Sequence, residues 1–262
     1  MLIWVRFRYA QCQIEFLCTQ KTGKAVKIAL EQMPEDLNGI YEEMLSRISP
    51  YDQNLAKEAL LWLSYVLWPL TLAELCEAIA VEESDRSIGE ECRFYRSEII
   101  VDICQGLIVH DENTSIVTLA HSSVRAFLTS GRIAQGPVAF YQLDDAAATR
   151  IIFRKCLTYL MFVDFQLACD DQTELCKRMD EFPLLTYAAQ SWASHAGDMA
   201  PSTFALTTAE IDAIIAFFGT RKMKRGGNFT AWVQCLLNET PVQIAKTTEP
   251  LYYAASYGLL PA

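Results

Sequence analysis

The stretch "IVTLAHSSVRAFL", Ile116–Leu128, changes its pattern half-way along. Up to Ala120 it reads as a strand, and from Ser122 the apolar residues Val124, Phe127 and Leu128 fall at the three- and four-residue spacing of a helix. His121, one of three histidines in the chain, stands at the joint beside Ser122 and Ser123. That corner is a catalytic His/Ser pair, a metal or phosphate contact, or the hinge of a small domain, and its surroundings decide which.

Immediately upstream, "LIVH", "DENTS" and "IVTLA" read as two short strands about a polar turn, a β-hairpin. Ser122 or Ser123 is expected to cap the helix that follows, with Gly131 stopping it. Before the hairpin, a helix is expected over Ser97 to Gln105 with Ile99, Ile100 and Ile103 inward, ended by Gly106 in the left-handed conformation. Further back, "WPLTLAELCEAIAVE" carries a strong start signal, Thr71 followed three residues later by Glu74. Each side chain can accept from a backbone N–H that the helix start leaves unpaired, and Leu70 with Leu75 can close a hydrophobic staple. This predicts a helix over 72–80. Pro69 joins it to a longer one over about 52–67, apolar nearly all round. From Pro34, the spacing of Leu37, Ile40, Tyr41, Met44, Leu45 and Ile48 predicts an earlier helix, ended by Ser49-Pro50.

Helices followed by a hairpin and a returning helix describe a winged helix, three helices plus a β-hairpin. Beyond "GRIAQGPVAF", read as an extended linker, four further helical patterns predict a separate bundle: "AAATRIIFRKCLTYLMFV", "FPLLTYAAQSWASHA", "TTAEIDAIIAFF" and "FTAWVQCLL". The fold class expected is mainly α. The basic "RKMKRGG" between the last two reads as a solvated loop rather than a nucleic-acid site.

Composition narrows the function classes. The chain has 262 residues, 52% of them apolar, enough for a sizeable core. The uncharged run Ala59 to Ala73 contains Pro69 and falls short of the ~20 apolar residues of a spanning helix. No signal peptide is recognisable at "MLIWVRFRYA", so a cytoplasmic protein with no membrane partner is expected. Nine cysteines with no C-x-x-C pair read as reduced, mostly buried thiols, and no metal site is expected. The net charge of −10 is concentrated: residues 51–120 hold thirteen acidic and four basic side chains, nine of the ten excess negatives.

At this point a resemblance enters. "RFRYAQCQIEFL", "ALEQMPEDLNGIYEEMLSRI", "ALLWLSYVLWPLTLAELCEAIAVE", "DICQGLIVHDENTSIVTLAHSSVRAFL" and "PLLTYAAQSWASHA" resemble, in order, the segment joining NACHT nucleotide-binding domains to ankyrin repeats in fungal NOD-like receptors. Its winged helix is the type also labelled GPI inositol-deacylase winged helix. The resemblance is closest over about 1–130, extends over 145–200 and fades from 200 to 245. "EPLYYAASYGLL" is similar to the opening of an ankyrin repeat, T-P-L-H-x-A-A-x-x-G, with Glu249 and Tyr252 in place of Thr and His. The resemblance implies a C-terminal helical remnant of a NACHT module over 1–33, a winged helix domain over 34–131, a helical bundle over 140–245 and an incomplete ankyrin repeat, the start of one, over 249–262. It also implies a role: a non-catalytic module coupling a nucleotide switch to a repeat-based sensor in fungal self/non-self recognition. The partners would be proteins, either a NACHT domain or a second copy, with no cofactor of its own.

The phosphate-binding loop of that family, G-x-x-x-x-G-K-[ST], is not among these residues. In "CTQKTGKA", Cys18 stands where the first glycine belongs and Ala25 where the magnesium-binding hydroxyl belongs, so no ATP or GTP hydrolysis is expected from this chain alone.

The resemblance also gives His121 a role. Family members with a pattern like "FLHLSFQEFL" touch the β-phosphate of bound ADP with this histidine, and "TLAHSSVRAFL" matches at the histidine and at Phe127-Leu128. Here that contact would need a NACHT domain supplied in trans. The competing reading is a corner histidine bonded to neighbouring backbone. Two alternatives to the switch module remain. A serine hydrolase, suggested by the deacylase label, would need a G-x-S-x-G elbow, which the sequence lacks. A DNA-binding winged helix would need basic residues on its recognition helix and wing, yet Arg93 and Arg96 face Glu90, Glu91, Glu98 and Asp102, and the wing tip is Asp111-Glu112. No nucleic-acid partner is expected.

Overall fold

The computed structural model describes residues 14, 17–18, 21–31, 36–89, 92–197, 204–238, 242–245 and 247–259. Within them the chain forms two compact units, Met1–Ser64 with Glu98–Leu143, and Tyr65–Ser97 with Asp144–Ala262. Most of the segment expected as a NACHT remnant, and the last residues of the expected repeat, 260–262, lie outside the described residues.

In the first unit, helix α1 (Gly23–Glu31) begins at the Gly-Lys pair, where the Thr22 hydroxyl accepts from the Ala25 amide at 3.2 Å. Helix α2 (Leu37–Ser46) starts at Asp36, whose side chain accepts from the Gly39 amide at 2.7 Å, and it buries the expected stripe Leu37, Ile40, Tyr41, Met44 and Leu45. Pro34 lies outside the described residues. Helix α3 (Gln53–Tyr65) sets Ala56, Ala59, Leu60, Leu61 and Trp62 into the interior, with Tyr65 itself belonging to the second unit.

In the second unit a two-residue strand, β1 (Leu70–Thr71), leads into α4 (Leu72–Ala80). The capping box forms as expected: the Thr71 hydroxyl accepts from the Glu74 amide at 3.3 Å while Glu74 accepts from the Thr71 amide at 2.7 Å.

Helix α5 is shorter than expected, Ile99–Ile103, and its inward face is different. Ile100 and Cys104 are fully buried, whereas Ile99 is 37% exposed, because five residues make little more than one turn and only one row can face in. Gln105 and Gly106 follow at positive φ, 51° and 82°, and reverse the chain into the hairpin. Strands β2 (Ile108–Asp111) and β3 (Ile116–Leu119) pair antiparallel, with Ile108 opposite Leu119 and Asp111 opposite Ile116. Helix α6 (Ser122–Leu128) returns along the core through Val124, Phe127 and Leu128, and the Phe127 ring packs 5.7 Å from that of Tyr41.

Two expectations here are corrected. The N-cap of α6 is His121, not a serine. And Gly131 opens a helix rather than stopping one: α6 ends at Leu128 with Thr129 as its C-cap, then Ser130 caps α7 (Gly131–Gln135). The supposed extended linker therefore holds a turn of helix seated by Ile133, followed by a 3-10 turn over Ala139–Tyr141.

The remainder of the second unit is helical: α8 (Asp145–Leu160), α9 (Gln172–Glu181), α10 (Leu185–Ala196), α11 (Thr208–Gly219), α12 (Gly227–Leu236), α13 (Val242–Ala245) and α14 (Pro250–Ser256). The four expected patterns appear as α8, α10, α11 and α12, and α9 is additional. The basic stretch between α11 and α12 forms two 3-10 turns, and Gly227 has φ +58° with a would-be Cβ 2.4 Å from the Thr220 carbonyl oxygen, so only glycine fits. Trp192, Phe217, Phe218, Phe229 and Trp232 pack ring against ring at the centre, and the Trp232 indole N–H donates to the Ala189 carbonyl at 2.7 Å. Burying several large rings is the main apolar gain of this unit, with the Trp232 N–H paired and the buried Trp192 N–H left without a partner among the described residues. No helix among the described residues is long and apolar enough to cross a membrane.

Candidate functional site

The corner at His121 is held from three directions. Its Nδ1 accepts from the Ser123 amide at 3.2 Å, capping α6, and lies 2.7 Å from the Ser123 hydroxyl. That hydroxyl is in turn 2.8 Å from the Tyr41 hydroxyl, on a side chain wholly buried in α2. Because Nδ1 is the acceptor, the neutral ring carries its proton on Nε2. Sequence reasoning located this residue, but placed the cap one or two positions later.

The His121–Ser123 distance is that of a base and nucleophile, so the catalytic alternative has to be judged on the rest of the constellation. A working pair needs a third group to orient the imidazole. Among the described residues no carboxylate hydrogen-bonds the ring, and the nitrogen beside the serine is also taken by the Ser123 backbone amide. Ser122 is exposed. Among the described residues no group of three or more His, Cys, Asp and Glu could hold a metal ion.

The wing tip is acidic and carries its own hydrogen bonds. Asp111 accepts from the Asn113 amide at 3.0 Å and from the Thr114 hydroxyl at 2.9 Å, and these bonds hold its carboxyl below the ordinary carboxylate range. Of the two arginines expected in the recognition region, Arg93 is spent in the second unit. Its Nη2 bonds Glu77 at 3.1 Å and the Glu181 carbonyl at 3.2 Å. Glu90 and Glu91 lie outside the described residues.

Glu77 is a feature that the sequence did not single out. It occupies the buried face of α4, only 5% exposed, with the Tyr159 hydroxyl donating at 2.6 Å and the Leu184 amide at 2.9 Å. Burial pushes its carboxyl up despite these partners, and the Tyr159 hydroxyl is pushed up too, by burial and by the Glu77 charge. An open cleft of about 320 Å³ adjoins it, lined by Cys76, Arg93, Phe94, Ser97 and Asp180 among others. Since both Glu77 oxygens are satisfied by protein, the cluster reads as a structural tie.

Of the described cysteines, Cys76, Cys104, Cys156, Cys169 and Cys235 are buried thiols, while Cys18, Cys92 and Cys176 are exposed. Burial pushes Cys104 and Cys235 up to about 12, so they are inert as nucleophiles near neutral pH.

Comparison with known proteins agrees with the winged helix. Residues 41–137 match the family described as "GPI inositol-deacylase, winged helix domain", so the chain carries a winged helix domain. The chain is 30% identical over 187 residues to "Azaphilone pigments biosynthesis cluster protein L" of Monascus ruber. That alignment covers 68% of this chain and 38% of the relative, so the chain spans well under half of the relative's length. No solved structure matches.

Proposed function

We propose that the chain is a non-catalytic interaction and switch module: a winged helix and helical segment that couples the nucleotide state of a NACHT domain to a repeat-type sensor in a fungal receptor. The observation that carries this reading is the cap at His121, where the Ser123 amide donates to Nδ1. With Nδ1 bound to the start of α6, the ring presents an Nε2–H donor whose direction is fixed by the helix it caps. A donor held in that way suits a β-phosphate oxygen, and it moves with the wing as a rigid body, so swinging the wing breaks the contact. The resemblance supplies the partner, ADP on a NACHT domain in trans. In this reading α14, with Leu251 and Tyr252 turned to solvent, is the first helix of an ankyrin-type repeat.

The test is a fusion of the chain to a NACHT domain, scored by ADP retained through gel filtration. His121→Asn keeps an N-cap acceptor but loses the Nε2–H, so it should release ADP while leaving the melting temperature close to wild type. Retention equal to wild type in that variant would overturn the ADP contact. Labelling of Ser122 or Ser123 by a fluorophosphonate probe would favour the hydrolase instead.

A further inference from the structure

Helix α11, "TAEIDAIIAFFG", is apolar nearly all round, yet only one side of it is covered. Ile214, Phe217 and Phe218 are buried, whereas Ala209, Ala213 and Ala216 are exposed and Ile215 is 53% exposed. A helix apolar on every face normally has neighbours on every face. The exposed alanines form one bank of an open groove of about 520 Å³ within the second unit. Phe153 and Leu157 of α8, both buried, and Met161, its C-cap, lie beneath it as well. Glu83, Asp85, Arg154 and Glu210 are its charged members, three carboxylates to one guanidinium.

The guanidinium is already engaged. Arg154 Nε donates to Glu210 at 2.8 Å and its Nη1 lies 3.5 Å from Glu83, while Arg150 bonds Glu210 from the other side. Glu83, half exposed, and Asp85 thus leave a net negative rim over an apolar floor.

The shape argues for a helix as occupant. The exposed bank, Ala209, Ala213 and Ala216, spans seven residues, about 10 Å at ~1.5 Å per residue, which is two turns of an opposing helix. Methyl groups at spacings of four and three let that helix come close. A small molecule would need to be enclosed, and the exposed alanines leave this side open. We infer that the groove between α8 and α11 docks an amphipathic helix of a partner protein, one that sets bulky apolar side chains along the alanine row and Lys or Arg against Glu83 and Asp85. This goes beyond the proposed switch role and stands on the groove alone, so the peptide experiment and the ADP experiment fail separately.

The probe is a labelled helical peptide of about four turns, with Leu at i, i+3, i+4 and i+7 and Lys elsewhere, titrated against the full chain by fluorescence anisotropy. Controls are a scrambled peptide of the same composition and a version with Glu in place of Lys. Binding should favour the Leu/Lys peptide over its scramble and weaken about tenfold or more in Ala213→Arg, which fills the groove with bulk and like charge. The pair Glu83→Lys with Asp85→Lys should reverse the preference toward the Glu peptide, and it keeps the test available if Ala213→Arg fails to fold by circular dichroism. Equal affinity for peptide and scramble, unchanged affinity in both variants, or no binding to the wild type would overturn the assignment. So would a small apolar dye that saturates the groove while the peptide stays out, or a concentration-dependent dimer abolished by Ala213→Arg.

Discussion

The Tyr159 hydroxyl donates to the buried Glu77 carboxylate at 2.6 Å, tying α8 to the inward face of α4 in the second unit. The two residues are separated by 82 positions, and the Leu184 amide adds a third strand to the tie at 2.9 Å. Removing the Tyr159 hydroxyl leaves the carboxylate under-satisfied in a dry place, and removing Glu77 leaves that buried hydroxyl and the Leu184 amide without their acceptor. Glu77→Ala should therefore lower unfolding free energy by about 3–5 kcal/mol and Tyr159→Phe by about 1.5–3 kcal/mol, measured by urea denaturation. Arg93→Ala should cost less than either, since that arginine is 40% exposed and water replaces it. An Arg93→Ala effect as large as that of Tyr159→Phe would contradict this ordering.

Acid should destabilise the second unit in two stages. His195 is buried, donates or accepts at the Tyr187 hydroxyl over 2.9 Å, and burial depresses it from 6.5 to about 4. The unfolded chain takes up that proton first, so the stability tied to the neutral ring is fully present above pH 6.5 and is lost as pH falls to about 4. Glu210 follows. Burial raises its carboxyl, but the Thr207 amide, Arg150, Arg154 and the Thr207 hydroxyl together outweigh burial and hold it down at about 2. Its share is present above 4.5 and lost as pH falls toward 2. Each is worth on the order of 3 kcal/mol at most. Urea midpoints taken from pH 7 to pH 3 should fall first in the histidine window, and His195→Phe should remove that first fall.

The cap at His121 gives a stability expectation separate from any phosphate contact. His121→Ala removes the acceptor for the Ser123 amide and should cost about 1 kcal/mol, whereas His121→Asn should stay within a few tenths. Equal losses in the two variants would mean that the ring's packing matters more than its hydrogen bond.

Gly197 closes α10 with a would-be Cβ only 2.4 Å from the Tyr257 carbonyl oxygen. Gly197→Ala should push the end of α14 away, costing about 1–3 kcal/mol by overpacking. Hydrogen exchange across 250–258 should speed up while exchange in α8 stays near the wild-type rate.

The acidic wing predicts no salt-sensitive retention of duplex DNA by the chain. Asp111→Lys with Glu112→Lys should gain weak, salt-dependent binding, because it removes two like charges facing phosphate and adds two opposite ones. Wild-type retention that falls steeply with salt would restore the DNA-binding alternative.

What could be read from the sequence was local. The Thr71–Glu74 box is complete within four residues, and the stripe of α2 repeats along one face, so both elements were legible. His121 was legible as a corner but not as a cap, because serine outranks imidazole as an N-cap by propensity and two serines stood beside it. Helix α9, "QTELCKRMDE", was missed because Leu175 is its one buried residue and apolar periodicity has nothing to grip. A weaker sign was there: Asp171 caps it, and Glu174, three residues on, accepts from the Asp170 amide at 2.7 Å. The Glu77 tie was out of reach, since it depends on partners 82 and 107 residues away. Likewise the groove on α11 exists only once α8 has found its place beside it.

The ring packing at the centre of the second unit makes it its own optical gauge. Trp192 stands edge-on to Trp232 with centroids 5.7 Å apart, and both indoles are shielded from water. Transition dipoles that close and that crossed couple into a near-ultraviolet dichroic band, so loosening of α10 against α12 is visible in a spectrum, without a label, before the helices themselves melt.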